Sequence, residues 1–260
     1  MRAAIEKQIA IGGFPVEDCG YERARRVVFD SLRDRRKLAV FFANTHFVTT
    51  CQALLPQFKR HPSVFILNDG IGVNLAAYFV HRDWFSQNMN GTDFVPRLLA
   101  ESEMPLRVFL LGSSPEAVAG AAAKLGECRH VSVAGYCDGY SFWSDQEALI
   151  AAINRSRADM VLVALGMPKQ ERWILENWRR VDAPVMLAVG ALFDFLSDTQ
   201  PRAPVWVRRL NLEWFFRLCN EPRRLFRRYT GELVIFFRIA LARGASEGIP
   251  GVLPADDKKR

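Results

Sequence analysis

The stretch that decides the fold is Ser63–Val80, which reads SVFILNDGIGVNLAAYFV. It opens with Ser63–Leu67, a short apolar run that predicts a buried β-strand. The turn Asn68-Asp69-Gly70 follows, and the residues after it have the apolar pattern of a helix that reaches about Val80. A strand that passes through a short turn into a helix is the repeating unit of an α/β protein.

Similar units lie on both sides of this stretch. Each has a short apolar run, predicted as a strand, next to a longer helical pattern. Strands of this kind, separated by helices, indicate a mainly parallel sheet with helices on both faces. We predict this α/β core over residues 1–200. The other runs are Leu38–Ala43, Leu106–Leu111, His130–Tyr136, Met160–Leu165 and Pro184–Val189.

The turns after the predicted strands are where a ligand is expected. In a parallel sheet with helices on both faces, ligands bind beyond the carboxyl ends of the strands. These turns should therefore converge on one pocket. They are Asn44–His46, Asn68–Gly72, Gly112–Ser114, Gly166–Gln170 and Gly190–Asp194.

The composition argues against several other classes of protein. Half of the 260 residues are hydrophobic and 24% are charged, which allows a sizeable core and excludes global disorder. The five cysteines form no CxxC pair and the four histidines are far apart, so we expect neither a disulfide framework nor a zinc site. Met1–Pro15 lacks the pattern of a signal peptide, and no apolar run is long enough to span a membrane. These features favour a cytoplasmic protein with reduced thiols.

The formal charge of +7 is concentrated near the C-terminal end of the chain. The segment Arg202–Arg243 contains ten arginines and three acidic residues, so it carries the whole positive excess. A basic segment attached to a neutral body indicates an anionic partner. That partner is a membrane, a nucleic acid or a phosphorylated substrate.

Aromatic residues are interleaved with these arginines, which predicts a helical appendage over residues 201–243 that associates with a membrane surface. The apolar piece Leu233–Ala242 is too short to span a bilayer, so we expect it in the membrane interface or at a subunit contact of a homo-oligomer. No recognised nucleic-acid module accompanies the arginines, so no nucleic acid is expected as a partner. Residues 244–260 are predicted to form a flexible tail. The arginines assigned to the membrane or to a diphosphate are Arg208, Arg209, Arg223, Arg224, Arg227 and Arg228.

Asp69 is the main candidate for a catalytic residue because it comes directly after a predicted strand. A carboxylate in this position can act as a base for a sugar hydroxyl, or can bind a ribose or a metal. It can also cap the next helix by accepting hydrogen bonds from the first backbone amides. The pattern alone leaves these alternatives open.

Three further turns have residues that suit a nucleotide. Gly112-Ser113-Ser114-Pro115 lets backbone amides and a helix N-terminus approach a phosphate, although an ordinary tight turn has the same pattern. After Gly166, Gln170 offers an amide to sugar hydroxyls or phosphate oxygens, whereas Glu171 is interpreted as a helix-start charge. Gly135-Tyr136 supplies a ring for stacking on a base or sugar, with core packing as the alternative. Together these features indicate an α/β protein that uses a nucleotide.

A set of short motifs is spread over about residues 38–230. They are Asn44-Thr45, Asp69-Gly70-Ile71-Gly72, Gly91-Thr92-Asp93, Leu111-Gly112, Gly135-Tyr136, Gly166-Met167-Pro168-Lys169-Gln170-Glu171, Val189-Gly190, Phe193-Asp194, Arg202-Ala203-Pro204, Leu212-Glu213-Trp214, Arg217-Leu218, Glu221-Pro222 and Arg227-Arg228-Tyr229. In this order they resemble the motifs of the WecG/TagA/CpsF glycosyltransferases, glycosyltransferase family 26. Each motif is short, but the ordered set is specific.

The resemblance implies an inverting glycosyltransferase with a Rossmann-like core, which uses a UDP-sugar and needs no metal or other cofactor. The implied acceptor is a sugar linked to polyprenyl diphosphate, at the cytoplasmic face of the bacterial inner membrane, where the protein is peripheral. Asp69 is then the general base, and the tail arginines help to neutralise the leaving diphosphate. The residues assigned to substrate binding are Asn44, Thr45, Asn88, Asn90 and Gln170, and those assigned to nucleotide binding are Gly112, Ser113, Gly135, Tyr136, Gly166 and Arg202.

One position departs from the family pattern. Many members have an arginine three residues before the Gly-Thr-Asp motif, whereas this chain has Asn88. The asparagine form resembles the branch that builds xanthan- and acetan-type exopolysaccharides, which implies β-1,4 transfer of glucose from UDP-glucose. One alternative is transfer of N-acetylmannosamine, or its uronic acid, from a UDP-sugar to lipid-linked N-acetylglucosamine. Another is a non-catalytic nucleotide- or lipid-binding module.

Overall fold

A computed structural model describes residues 7–141, 145–200, 203–204, 207, 216, 218 and 222–244 of the chain. Within residues 222–244 it describes the side chains of residues 231–242. The predicted site residues Arg202, Arg208 and Arg209 lie outside these ranges. Arg223, Arg224, Arg227 and Arg228 belong to the last helix, but their side chains also lie outside the described part.

Within the described residues, eight strands form one sheet. They alternate with helices along the chain, as the apolar runs predict. The strands are β1 (Gln8–Ile11), β2 (Phe14–Glu17), β3 (Leu38–Ala43), β4 (Val64–Asn68), β5 (Leu106–Gly112), β6 (Val131–Cys137), β7 (Met160–Ala164) and β8 (Val185–Ala188).

The strand order across the sheet is β1-β2-β4-β3-β8-β7-β5-β6. Neighbouring strands from β2 to β6 are parallel, and the hairpin of β1 and β2 is antiparallel. In β3, Val40 pairs with Phe65 on one side and Leu187 on the other, so β3 lies inside the sheet. The prediction of a mainly parallel, Rossmann-like α/β sheet is confirmed.

The helices between the strands begin at polar capping residues in several places. Asn44, Asn90, Ser114 and Asp145 each accept a hydrogen bond from a backbone amide of the first helical turn, which satisfies a donor that has no partner inside the helix. The described helices are α1 (Tyr21–Arg33), α2 (Thr45–Thr50), α3 (Leu55–Arg60), α4 (Ile71–His81), α5 (Gly91–Ala100), α6 (Pro115–Gly126), α7 (Gln146–Arg155), α8 (Lys169–Asn177), α9 (Leu192–Leu196) and α10 (Pro222–Gly244), with a short 3-10 helix at Gln52–Leu54.

The helices cover both faces of the sheet because side chains along each strand point alternately to two apolar cores. In β3, Phe41 belongs to one core, and its neighbours Val40 and Phe42 belong to the other. The first core also contains side chains of α2, α3, α4, α7, α8 and α10. The second contains side chains of α1, α5, α6 and α9. The central parallel strands are therefore buried on both sides, whereas β6, at the edge of the sheet, is only partly buried.

The second half of α10 packs on the body of the protein. Phe236 and Ala240 are buried in the first core, where α10 contacts α2, α4 and β1. Glu232 lies one turn earlier, and its carboxylate is 3.1 Å from Nδ1 of His46 in α2. The expectation that Leu233–Ala242 lies in the membrane interface or at a subunit contact is therefore wrong for the helix face that carries Phe236, because this face packs on the core of the same chain. The division into a core over residues 1–200, an appendage over 201–243 and a tail over 244–260 stays a prediction.

Candidate active site

The chain changes direction across the sheet between β5 and β7. From β5, α6 leads outward to β6 along one face, whereas from β7, α8 leads towards β8 along the other face. The two helices diverge at the carboxyl ends of these strands, and parallel α/β sheets bind their ligands in the crevice that results. The turns Gly112-Ser113 and Gly166–Gln170 lie at this point, as expected for residues that are predicted to bind a nucleotide.

Asp69 directly follows β4, and its orientation depends on Asn44. The backbone N–H of Asp69 donates to the Ala43 carbonyl at 2.8 Å, which continues the pairing of β4 with β3. Asn44 Nδ2 donates to Asp69 Oδ2 at 3.3 Å, while Asn44 Oδ1 accepts from the Phe47 N–H at 2.9 Å as the cap of α2. Because the amide of Asn44 is held at both ends, it presents a fixed donor to the half-buried Asp69 carboxylate.

The cap position of α4 belongs to Gly70 and not to Asp69. Gly70 has φ +87°, a left-handed conformation that favours glycine. Its N–H donates to Asn88 Oδ1 at 2.8 Å. Gly70 therefore occupies the cap position, and Asn88 holds the turn that follows Asp69. Hydrogen bonding of the Asp69 carboxylate to the first amides of α4 stays a prediction.

This contact gives the family departure at Asn88 a structural meaning. Asparagine can accept the Gly70 N–H, whereas an arginine side chain has only donors and cannot. Asn90 has a similar role, since its Oδ1 accepts from the Thr92 N–H at 2.9 Å and the Thr92 hydroxyl at 2.7 Å. Both side-chain oxygens thus bind the protein itself. A direct contact of Asn88 or Asn90 with substrate stays a prediction.

Two glycines of the family motifs permit close packing around this turn. A Cβ atom added to Gly72 would lie 2.4 Å from Thr45 Cγ2, so the start of α4 lies against the first residue of α2. A Cβ added to Gly91 would lie 2.8 Å from the Phe42 ring. The structure therefore brings together Asn44, Thr45, Asp69 and the Gly70–Gly72 turn, as the sequence predicts.

A second set of contacts lies at the ends of β5, β7 and β8. Ser113 has φ +60°, and its N–H donates to the Ala164 carbonyl at 2.9 Å. The Ser113 hydroxyl donates to Asp194 in α9. A Cβ added to Gly112 would lie 2.3 Å from the Ala164 carbonyl oxygen, so the residue that ends β5 must be glycine for β7 to approach. These contacts join the turn after β5 to the helix after β8.

Gln170 and Glu171 lie in the first turn of α8, and both are 1% exposed. The Gln170 amide donates through Nε2 to Glu171 Oε1 at 2.8 Å and accepts through Oε1 from the Gly190 N–H at 3.3 Å. Glu171 is the acidic residue of the first helical turn, as interpreted from the sequence, but it is not an exposed charge, because burial raises its pKa to about 7. A direct contact of Gln170 with substrate stays a prediction.

Gly135 and Tyr136 line a separate cleft of about 630 Å³ between β6 and α7. Tyr136 is 53% exposed there, so it is not a core residue, and its ring is available for stacking. Gly135 faces Phe109, whose ring lies 2.8 Å from where a Cβ atom would be added. The cleft also contains Ser141, and Arg155 provides positive charge.

The predicted site residues share one edge of the sheet but form more than one group. Asp69 and Asn44 follow β4 and β3, whereas Ser113 and Gln170 follow β5 and β7. Three strand spacings of about 4.8 Å separate β4 from β7, so the groups are roughly 14 Å apart along the edge. The described turns therefore provide two adjoining regions, one around Asp69 and one at the direction change between β5 and β7.

Three features of the site region were not predicted from the sequence. The bond from Ser113 to Asp194 was not foreseen, although both residues are in predicted turns and Asp194 is in a family motif. The buried position of Glu171 and the contact between His46 and Glu232 have no local sequence signal. In the part of the chain that the structure describes, no three His, Cys, Asp or Glu side chains are grouped to hold a metal ion. Metal independence stays a prediction.

The fold is that of an α/β protein, and the residues predicted to bind its ligands follow the strands at the carboxyl edge of a mainly parallel sheet. The sequence model of the Glycosyl transferase WecG/TagA/CpsF family matches residues 9–248. This match covers most of the chain, which therefore belongs to that family. The family prediction made from the ordered motifs is confirmed.

A relative from Bacillus subtilis (strain 168) has a name that states a reaction. It is N-acetylglucosaminyldiphosphoundecaprenol N-acetyl-beta-D-mannosaminyltransferase, and it is 38% identical to this chain over 165 residues. The similar region spans 62% of this chain and 63% of the length of the relative. The name of this relative agrees better with the mannosamine alternative than with transfer of glucose.

Proposed function

We propose that this protein is a glycosyltransferase that moves a sugar from a nucleotide donor to a lipid-linked sugar diphosphate. The observation that carries the proposal is the Asp69 carboxylate at the carboxyl edge of the sheet, oriented by Asn44 at 3.3 Å. Membership of the glycosyltransferase family supports the reaction class. The change of direction between β5 and β7 supports a nucleotide site next to this carboxylate.

In the proposed reaction, Asp69 accepts the proton of the acceptor hydroxyl. The hydroxyl oxygen then forms a bond to the anomeric carbon of the donor sugar. The bond from that carbon to the phosphate oxygen breaks, and its electron pair leaves with the nucleoside diphosphate. Attack from the side opposite the leaving group inverts the anomeric configuration. A general base of this kind contributes roughly 10²- to 10⁴-fold to the rate.

The leaving diphosphate needs compensation of its negative charge. The turn before α6 supplies backbone amides at a helix N-terminus, which favours a phosphate group. We further propose that Arg202 and other arginines of the tail complete this compensation, so that no metal ion takes part. The donor nucleotide would then lie over Gly112 and Ser113, with its sugar directed towards Asp69.

For the donor sugar we propose N-acetylmannosamine, carried by UDP, with lipid-linked N-acetylglucosamine diphosphate as the acceptor. The name of the Bacillus subtilis relative supports this choice, because it states transfer of an N-acetylmannosaminyl group to N-acetylglucosaminyldiphosphoundecaprenol. Glucose from UDP-glucose is the second candidate. It is favoured by Asn88, which matches the exopolysaccharide branch of the family.

A donor screen tests the proposal. The purified chain would be assayed with UDP-N-acetylmannosamine, its uronic acid and UDP-glucose, each with N-acetylglucosaminyl- and glucosyl-diphospholipids. Product from the first donor on the first acceptor supports the main proposal, and product only from UDP-glucose supports the second candidate. UDP binding without turnover on any pair would identify a non-catalytic binding module.

The role of Asp69 is tested in the same assay. Asp69→Asn keeps the size of the side chain but removes the base, so transfer should fall by roughly 10²-fold or more. Asp34→Asn is the matched control, because the exposed Asp34 follows α1 near the opposite edge of the sheet. A transfer rate in Asp69→Asn close to that of the unaltered protein would contradict the role of Asp69 as general base.

We also propose peripheral association with the cytoplasmic face of a membrane. Within the described residues, no helix is both long and apolar enough to cross a bilayer. Tyr78, Phe79 and Trp84 are exposed at the end of α4, and the rings of Phe79 and Phe237 are 6.2 Å apart. Leu233 and Leu241, both exposed, lie four residues before and after Phe237 and so share its helix face. We call these exposed residues of α4 and α10 the α4–α10 apolar surface.

Sedimentation with vesicles tests this surface. Aromatic side chains partition to the headgroup layer, and basic residues add attraction to anionic lipid. The double substitution Tyr78→Ser and Phe79→Ser should reduce pelleting with anionic vesicles. Tyr140→Ser is the matched control, since Tyr140 is 73% exposed in the loop after β6, away from this surface. Equal loss in both variants would contradict the assignment of the α4–α10 apolar surface.

A further inference from the structure

Glu171 is a buried carboxyl group in the first turn of α8 that the proposed reaction does not use. It is 1% exposed, and its Oε2 has no hydrogen-bond partner among the described residues. Burial of an ionisable group is costly unless hydrogen bonds or an ion pair compensate for the lost hydration. The contact that Glu171 makes is with the Gln170 amide, at 2.8 Å.

The orientation of the Gln170 amide follows from its partners. The Gly190 N–H can only donate, so it must face Gln170 Oε1, as it does at 3.3 Å. Gln170 Nε2 then points to Glu171, which has to offer an acceptor. Both a carboxylate and the carbonyl oxygen of a neutral carboxyl group meet this need. Glu171 therefore supplies the acceptor that holds the amide in this orientation.

The contacts continue from Gly190 to the turn after β5. Gly190 has φ +57° and lies two residues before α9 begins. In α9, Asp194 accepts a hydrogen bond from the Ser113 hydroxyl. Hydrogen bonds thus connect Glu171 to Gln170 and Gln170 to Gly190. The chain continues from Gly190 into α9, where Asp194 is hydrogen-bonded to Ser113. This line of contacts crosses the carboxyl ends of β7, β8 and β5, where the chain changes direction.

We propose that Glu171 is a positioning residue that holds the Gln170 amide, and through it the Gly190 turn, in the arrangement that binds the donor nucleotide. The nucleotide part of this inference rests on the function proposed above. Glu171 touches no substrate in this scheme. It acts by keeping the donor region formed before the substrate arrives, which limits the ordering cost of binding.

The first test measures the Gly190 contact without any substrate. In the full chain, Glu171→Leu removes the acceptor, so deuterium exchange at the Gly190 amide should become faster. Glu171→Gln retains a carbonyl oxygen and should restore protection. Asn177→Leu is the matched control, because Asn177 is a buried amide at the other end of α8 that donates to the Trp173 carbonyl. It should lower stability without faster exchange at Gly190.

The second test measures affinity for UDP in the same variants by calorimetry. Glu171→Leu should raise the Kd by roughly tenfold, while Glu171→Gln and Asn177→Leu should stay close to the unaltered protein. If Glu171→Leu does not fold, Gln170→Met removes the same bonds from the other side and should also loosen Gly190. The double variant of Glu171→Leu and Gln170→Met should bind UDP no more weakly than either single variant, because one line of contacts is broken in each case.

Two results would overturn the inference. One is unchanged Gly190 exchange and UDP affinity in Glu171→Leu or Gln170→Met. The other is a loss in Glu171→Gln as large as that in Glu171→Leu, which would show that the acceptor oxygen is not what matters. Absence of UDP binding by the unaltered protein would instead contradict the proposed function and the nucleotide part of the inference. The exchange test would still decide whether Glu171 holds Gly190.

Discussion

Replacing Glu171 with glutamine should change how the stability of the protein depends on pH. Burial raises the pKa of Glu171 from 4.5 to about 7 in the folded state. Below the unfolded pKa both states hold the proton, and the group has no effect on stability. As pH rises from about 4.5 to about 7, the unfolded chain loses the proton while the folded protein keeps it, so folding becomes less favourable.

The size of this effect follows from the two pKa values. At about 1.36 kcal/mol for each pH unit, the difference between 4.5 and about 7 corresponds to roughly 3 kcal/mol. The unaltered protein should therefore lose about this much stability relative to Glu171→Gln between about pH 4.5 and pH 7, with the difference constant above the folded pKa. Glutamine carries no titrating proton, so its own contribution does not vary over this range.

Urea denaturation of both proteins at several pH values measures the difference. Subtracting one curve of unfolding free energy from the other removes the groups that titrate in both proteins. Glu101→Gln is a control with the opposite sign, because hydrogen bonds from Arg97 and Tyr21 lower the pKa of Glu101. The contribution of ionised Glu101 to the stability of the fold is present above the pKa that this group has in the unfolded chain, and it is lost as pH falls. Parallel curves for the unaltered protein and Glu171→Gln would refute the reasoning.

Three further substitutions have expected outcomes. Asn88→Leu removes the acceptor of the Gly70 N–H and should lower kcat by roughly tenfold, whereas Asn88→Asp keeps an acceptor and should retain most activity in the transfer assay. Gly72→Ala places a Cβ 2.4 Å from Thr45 Cγ2 and should reduce transfer, while Gly126→Ala, with open space around it, should not. Phe236→Ala should lower the free energy of unfolding by about 3–5 kcal/mol, and a change below about 1 kcal/mol in urea denaturation would contradict the packing of α10.

Much of the fold could be predicted because the central strands are continuous apolar runs. The strand predicted at Leu38–Ala43 has those same bounds in the structure, and the others differ by a residue or two. The hairpin of β1 and β2 was missed because its strands have four residues each and one contains Pro15. The sequence pattern after β3 predicts one helix over Thr45–Phe58, but the structure divides it into α2, a 3-10 turn and α3. Pro56 has no N–H to continue a helical ladder and instead lies in the first turn of α3.

The candidate site could be predicted only in part. Residues that follow strands, such as Asp69 and Ser113, are located by topology, because parallel strands bring their carboxyl ends to one edge. The burial of Glu171 could not be predicted, because a glutamate in a first helical turn has the same sequence pattern whether it is buried or exposed. The role of Asn88 depends on its hydrogen bond with the backbone N–H of Gly70, which is 18 residues earlier in the chain. The spacing of residues in the sequence does not reveal such a contact.

The position of α10 also affects how the protein can acquire its native structure during synthesis. Phe236 and Ala240 complete a core that contains Phe47 of α2, and Glu232 contacts His46 beside Thr45. These contacts cannot form until residue 240 has left the ribosome, although all eight strands of the sheet have been made by residue 188. The helices α2 and α4, which lie on either side of the turn around Asp69, are therefore among the last parts of the protein to gain their full set of neighbours, and a nascent chain without α10 leaves the core beside α2 incomplete.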